Sequence, residues 1–181
     1  MQYTGSVEIK FGEWPSLVPL RLKTSIGEPL ASLRGASAKR YFRLEHDWEI
    51  HIGILNDRYP KEIGGTVVIP RSYESQSVPL SEAETHLDGA SVPFPWLVSF
   101  LSFGVLRPLG VMLIASIVHD FAFKHGGLVY RDHSGKLEFC KIQRHLADKL
   151  FYDIIRTVNK MPFTALLAWA AVRLRVVLRS S

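Results

Sequence analysis

The sequence predicts an α+β fold, in which a small N-terminal antiparallel β-sheet is followed by a helical half of three to four helices. Apolar and polar residues alternate in stretches of the first 70 residues, which is typical of strands with one buried face. Later apolar residues recur at four-residue spacing, which indicates helices. We expect one domain over 1–181, mainly β in 1–70 and mainly α in 87–181, with 71–86 as an inserted polar loop.

The N-terminal part contains the predicted strands. They cover 5–11, 41–44, 48–55 and 66–69. The second and third are separated by His46-Asp47, a turn-forming pair, so we expect these two strands to form a β-hairpin. Residues 13–35 contain three prolines and show no sustained period, which predicts loops with short extended pieces.

Three helices are predicted after the polar loop. They cover 109–123, 140–158 and 161–178. Gly126-Gly127 is expected to end the first helix, and the turn at 132–135 indicates a short hairpin within 128–139. The second helix has the most regular pattern, because its apolar residues follow one another at four-residue spacing.

Charge and cysteine content narrow the classes of function. The 22 Lys and Arg exceed the 17 Asp and Glu, which gives a net charge of +5 and favours acidic partners, but no strong signal for nucleic-acid binding is present. Cys140 is the single cysteine, which excludes an internal disulfide framework and a cysteine-based zinc knuckle. The first six residues lack a charged region followed by an apolar run, so we expect no secretory signal.

Two apolar stretches need testing as membrane spans. Residues 94–118 have Arg107 as their only charge and are long enough to cross a bilayer. Prolines and glycines, including Pro108 next to Arg107, divide this stretch, which favours a buried pair of helices over a span.

The second apolar stretch, 161–178, is interrupted by Arg173 and Arg175 and is predicted to be an amphipathic helix. We expect this helix to pack inward through Leu166, Leu167, Trp169 and Ala170. A less favoured hypothesis is that this helix contacts an anionic membrane peripherally through Arg173, Arg175 and Arg179.

The candidate site consists of polar residues that border the long apolar stretch. Asp88 and Ser91 lie in a turn of small residues before it, and His119-Asp120 lies near the end of the predicted helix that follows. Asp148 lies at the border of the apolar face of the next helix. We expect these segments to bring their polar groups together where the sheet meets the helices.

Three arrangements of these groups stay open. In the first, His119 with two of Asp88, Asp120 and Asp148 binds a divalent metal ion (zinc, manganese or iron) that activates water for hydrolysis. In the second, Ser91 is a nucleophile, His119 its base and a carboxylate the orienting group. In the third, the same residues form a buried hydrogen-bonded network without catalysis.

Two further residues affect this choice. Val92-Pro93 crowds Ser91, whereas a nucleophilic serine usually lies between small residues, so the second arrangement is less favoured. His86 lies two residues before Asp88, which places an additional imidazole close to the predicted cluster.

Several motifs in the same order resemble a phage and prophage family of unknown function, numbered 1353. They are Val68-Ile69-Pro70, Asp88-Gly89-Ala90-Ser91-Val92-Pro93, His119-Asp120-Phe121-Ala122-Phe123 and Ala147-Asp148-Lys149-Leu150-Phe151, within about 67–172. The resemblance implies a phage or prophage origin, with the host cytoplasm or the virion as location. It also implies that Asp88, Ser91, His119, Asp120 and Asp148 belong to one cluster, and it transfers no reaction.

The chain departs from the family pattern at three polar positions. Leu87 stands where threonine is usual, Phe94 where arginine is usual and Phe123 where tyrosine is usual. The functional expectation is a phage-encoded, metal-dependent hydrolase with His119, Asp120 and Asp148 as ligands and Asp88 as ligand or orienting group. The alternative is a virion or tail component, or an inhibitor of a host protein, in which the cluster is structural.

Overall fold

The structure is a computed structural model that describes residues 2–20, 41–55, 59, 64–71, 112–132 and 134–179. Its strands are β1 (Gln2–Thr4), β2 (Val7–Lys10), β3 (Leu17–Leu20), β4 (Tyr41–Leu44), β5 (Trp48–Ile54), β6 (Gly65–Ile69), β7 (Gly127–Arg131) and β8 (Leu137–Lys141). Its helices are α1 (Leu113–His125), α2 (Arg144–Val158) and α3 (Pro162–Arg179). These elements confirm the predicted α+β class. The predicted polar loop lies outside the described residues except for Arg71.

Six of the described strands form one antiparallel sheet in the order β1-β2-β5-β6-β7-β8. The alternation in β2 and β5 points apolar side chains to one face, where Ile9 lies opposite Ile52. Ile9, Ile50 and Ile52 are fully buried on this face, which packs against the helices. The apolar face of the sheet is therefore one wall of the core.

The predicted hairpin between the strands at 41–44 and 48–55 is wrong. Strand β4 pairs with β3 in a separate two-stranded sheet, with Leu44 opposite Leu17. The physical reason is that both edges of β5 are already occupied, by β2 on one side and by β6 on the other. The short link between β4 and β5 thus connects two sheets.

Helix α1 packs against β7, β6 and α2. It ends at Gly126, whose φ of 72° is the left-handed conformation that favours glycine at the end of a helix. The chain then returns to the sheet as the hairpin β7–β8, as predicted. Asp132 holds the hairpin turn, because its Oδ1 accepts hydrogen bonds from the backbone N–H groups of Ser134 and Lys136.

Helix α2 lies between the other helices and contacts α1, α3 and the strands β1 and β2. It begins at Arg144, four residues later than predicted, because Cys140 and Lys141 belong to β8. Leu150 and Ile154 are buried on its apolar face, as the four-residue spacing predicts.

Helix α3 packs against α2, but the face predicted to turn inward is wrong in part. Leu166 is 49% exposed and Ala170 is also exposed, whereas Ala165 and Ala168 are buried. Small side chains at the contact let two helices approach closely, and this contact decides which face turns inward. The larger apolar residues on the opposite face are left at the surface.

Among the described residues, no helix has the combination of length and apolar character needed to cross a membrane.

Candidate functional site

Three helices bring the polar residues of the candidate site together. His119 and Asp120 belong to the second half of α1, and Asp148 belongs to the first half of α2. Because α1 and α2 pack side by side, the His119 imidazole reaches the Asp148 carboxylate across the contact. The third helix contributes Arg173, whose side chain is half exposed.

Asp148 is fully buried, and its carboxylate contacts two basic groups. Nε2 of His119 donates a hydrogen bond to Oδ1 of Asp148 over 3.0 Å. Oδ2 of Asp148 lies 3.6 Å from Nη1 of Arg173, within ion-pair distance, and accepts no hydrogen bond from any described residue. A buried carboxylate needs such partners, since removing its charge from water is costly. Asp148 therefore joins α1, α2 and α3.

His119 faces a second carboxylate through its other ring nitrogen. Nδ1 of His119 lies 4.0 Å from Oδ1 of Asp120, and the two side chains are 12% and 13% exposed. Burial opposes a charge on the imidazole and is the largest single influence on its pKa, but the interactions with Asp120 and Asp148 together outweigh it. The pKa of His119 is therefore raised above its ordinary value, and a positive charge is favoured at this position.

Two aromatic rings lie beside the imidazole of His119. The centroid of the Phe151 ring lies 5.2 Å from that of His119, and the Phe123 ring lies almost parallel to the imidazole at 6.1 Å. The guanidinium of Arg144 covers the Phe123 ring at 4.4 Å. The orientation of His119 is thus fixed by packing as well as by its hydrogen bond.

The geometry defines what each group can do chemically. Asp148 fixes the orientation and the protonation site of His119, while Asp120 and Nδ1 of His119 face each other at the more exposed side. Within the part of the chain that the structure describes, no three His, Cys, Asp or Glu side chains are grouped to hold a metal ion. The described residues therefore supply an oriented imidazole and one adjacent carboxylate.

The model of a family described as "Protein of unknown function (DUF1353)" matches residues 66–172, which is more than half of the chain. The chain belongs to this family. No curated protein and no solved structure matches. The family match includes His119, Asp120 and Asp148, together with the segment that carries Asp88 and Ser91.

The structure brings three of the five predicted site residues together. His119, Asp120 and Asp148 form the cluster described above, whereas Asp88 and Ser91 lie outside the described residues, as does His86. The prediction that Asp148 is a metal ligand stays a prediction. Its contacts with His119 and Arg173 favour an orienting role instead.

Sequence reasoning missed the connection from Arg173 to Asp148. Arg173 was considered only for membrane contact, because it interrupts the apolar pattern of the last helix. Its guanidinium in fact lies 3.6 Å from the buried carboxylate and 5.8 Å from the ring of Trp169, one turn earlier. The sequence signal that could have revealed this contact is Arg173 itself. A carboxylate that is buried on a neighbouring helix, as Asp148 is, requires a cation nearby.

A second buried carboxylate lies on the other side of α2. The Asp153 side chain accepts a hydrogen bond of 2.8 Å from the Ser6 hydroxyl and one of 2.5 Å from the Tyr59 hydroxyl. The ammonium group of Lys149 lies 4.2 Å from the centre of the Tyr59 ring. Both oxygens of Asp153 are satisfied, so this group ties the N-terminal strands and Tyr59 to α2.

Proposed function

We propose that this protein is a phage- or prophage-encoded, metal-dependent hydrolase in which His119 and Asp120 bind a divalent cation. The observation that carries the proposal is the 3.0 Å hydrogen bond from His119 to the buried Asp148 carboxylate. It puts the proton of a neutral imidazole on Nε2 and leaves the lone pair of Nδ1 on the side of Asp120. Histidine ligands of metals almost always donate their other ring N–H to a carboxylate, a backbone carbonyl or water, and Asp148 is a partner of this kind.

The distance between the two candidate ligand atoms supports the same arrangement. Zinc binds nitrogen and oxygen ligands at about 2.0–2.2 Å, so two neighbouring ligand atoms are roughly 3–3.5 Å apart. Nδ1 of His119 and Oδ1 of Asp120 are 4.0 Å apart, and a small rotation of the Asp120 side chain would close the difference while His119 keeps its hydrogen bond to Asp148. The two carboxylates around His119 favour positive charge there, and a cation bound at Nδ1 supplies it.

A hydrolase of this kind needs a third protein ligand and a position for water. Asp88 is the proposed third ligand, from the segment that carries the Asp-x-Ala-Ser-Val-Pro motif. Mixed imidazole and carboxylate ligands suit zinc, manganese or iron, and a bound cation lowers the pKa of a water molecule enough to make it a nucleophile. The phage origin rests on the motif resemblance of the sequence.

Calorimetric titration of the chelator-treated protein with zinc or manganese tests the proposal. We expect one equivalent of ion to bind, with a loss of binding in His119→Ala and a clear weakening in Asp120→Asn. Asp148→Asn is expected to bind about 10- to 100-fold more weakly, as is typical when the partner of a ligand is removed. His46→Ala is the matched control, because Nε2 of His46 lies 3.0 Å from Glu13 at the surface, outside the candidate site.

Hydrolysis of p-nitrophenyl phosphate, bis-p-nitrophenyl phosphate and p-nitrophenyl acetate with and without the ion completes the test. Turnover that requires the ion and disappears in His119→Ala supports the proposal. Turnover without an ion that disappears in Ser91→Ala would replace it with a serine hydrolase, in which Asp148 orients His119 as a base. If the protein neither binds an ion nor turns over any substrate, and His119→Ala lowers the melting temperature, the cluster is structural. The alternative of a virion component or host-protein inhibitor would then be favoured.

A further inference from the structure

Helix α3 exposes an apolar face that the described part of the structure does not cover. Phe163 is 70% exposed, the highest value among the large apolar side chains that the structure describes, and Leu166 follows one turn later. Ala165 and Ala168 lie on the opposite side of the helix and are buried. A helix of a globular protein normally turns its larger apolar residues inward, so the exposed pair departs from the usual pattern.

The net charge of the chain comes from the C-terminal segment that includes this helix. Residues 154–181 contain five of the 22 Lys and Arg and none of the 17 Asp and Glu. The remaining residues, 1–153, therefore contain equal numbers of basic and acidic side chains, and the whole net charge of +5 belongs to the C-terminal segment. Arg156 and Lys160 are exposed just before the helix, and Arg173 is exposed within it.

We propose that α3 is a peripheral membrane-binding element that inserts Phe163 and Leu166 among the headgroups of an anionic bilayer. Exposed aromatic and leucine side chains on a helix with basic residues around it are the features that bind such a surface. Each basic residue near an anionic membrane adds attraction that salt screens. A segment that contains five basic residues and no acidic one is complementary in charge to an anionic lipid surface.

This inference goes beyond the proposed hydrolase function and does not depend on it. Phe163 and Leu166 are exposed, whereas the Asp148 carboxylate of the His119 site is fully buried, so each proposal can fail without the other. Cosedimentation of the full chain with phosphatidylcholine vesicles, with and without phosphatidylglycerol, is the direct test. We expect binding that requires the anionic lipid and decreases as salt is raised.

The apolar contribution is tested with Leu166→Ser and Phe163→Ser. Leu137→Ser is the matched control, because Leu137 is 46% exposed against 49% for Leu166, but lies on β8. Loss of one large apolar contact is expected to weaken vesicle binding about tenfold in the α3 variants, and the control is expected to bind like the wild type. Since all three side chains are exposed, circular dichroism is expected to show unchanged folding.

The charge contribution is tested with the double variant Arg156→Gln, Lys160→Gln. The matched control is Lys136→Gln, Lys141→Gln, which removes two exposed basic residues from the β8 region. Each charge near the membrane is expected to contribute about fivefold to the affinity, and the control is expected to have little effect.

Three results would overturn the proposal. The first is equal binding to neutral and anionic vesicles, or no binding to either. The second is an equal effect of the α3 variants and their controls. The third is a dimer in sedimentation velocity that Phe163→Ser converts to monomer, which would assign the exposed face to a second copy of the chain.

Discussion

Two histidine–carboxylate pairs among the described residues have equal length but opposite environments, and comparing them tests the role of burial. Nε2 of His119 lies 3.0 Å from the fully buried carboxylate of Asp148. Nε2 of His46 lies 3.0 Å from Glu13, and both of these side chains are exposed. We predict that His119→Ala destabilises the metal-free protein much more than His46→Ala does.

The expected magnitude follows from what each substitution leaves behind. Removing one partner of a buried ion pair typically costs about 3–5 kcal/mol, because the other charge stays buried without compensation. Arg173 still lies 3.6 Å from Asp148 after the change, so we expect the lower end, about 3 kcal/mol. An exposed ion pair contributes about 0–1 kcal/mol to the free energy of unfolding, so His46→Ala is expected to lower that free energy by less than about 1 kcal/mol.

Urea unfolding followed by circular dichroism measures the free energy of unfolding of both variants. Chelator is present throughout, because it removes any stabilisation by a bound ion. The double variant of His119→Ala with Asp148→Asn is expected to cost less than the sum of the single changes, by about 1–3 kcal/mol. Similar losses for His119→Ala and His46→Ala, with additive effects at His119 and Asp148, would refute the reasoning.

Three other predictions follow from contacts outside the site. Tyr59→Phe removes a hydrogen bond to the buried Asp153 and is expected to cost about 1–3 kcal/mol in urea unfolding; a change below 0.5 kcal/mol, a rough threshold, would contradict this. Gly127→Ala places a Cβ against the backbone oxygen of Cys140 in β8, closer than such atoms normally approach, and is expected to lower the melting temperature clearly, so an unchanged value would refute the close approach. The hydrogen bond to Glu138 raises the pKa of Tyr130 to about 12. Its stabilising effect is therefore complete below about pH 10, the ordinary tyrosine pKa, and is lost as the pH rises to about 12; Tyr130→Phe is expected to remove this part of the pH dependence of unfolding, and an identical profile would contradict it.

Local patterns predicted the elements well where one periodicity dominated. The four-residue spacing through Leu150 and Ile154 identified the helix that carries Asp148, and the alternation in β5 identified its buried face. The glycine pair after α1 was recognised as a helix end, and Gly126 adopts the expected left-handed conformation. These features depend on neighbours in the sequence, which is why the sequence alone predicts them.

Local sequence patterns could not predict features that depend on contacts between residues far apart in the sequence. The pairing of β4 with β3 depends on which edges of β5 are free, and β2 and β6 occupy both. The orientation of α3 depends on the close contact that Ala165 and Ala168 make possible, against the bulk of Leu166. In the same way, the residue types indicated a cluster around His119, but only the packing of three helices shows that Arg173 contacts its buried acid.

The central claim is that Asp148 fixes Nε2 of His119 so that Nδ1 is available to a cation beside Asp120. Nitrogen-15 NMR of the His119 ring during titration with zinc tests this claim most directly. We predict that Nε2 keeps its proton throughout, while the Nδ1 resonance changes with one equivalent of ion and needs a larger amount of ion to change in Asp120→Asn. A zinc-induced loss of the Nε2 proton, or no change at either nitrogen, would contradict the account.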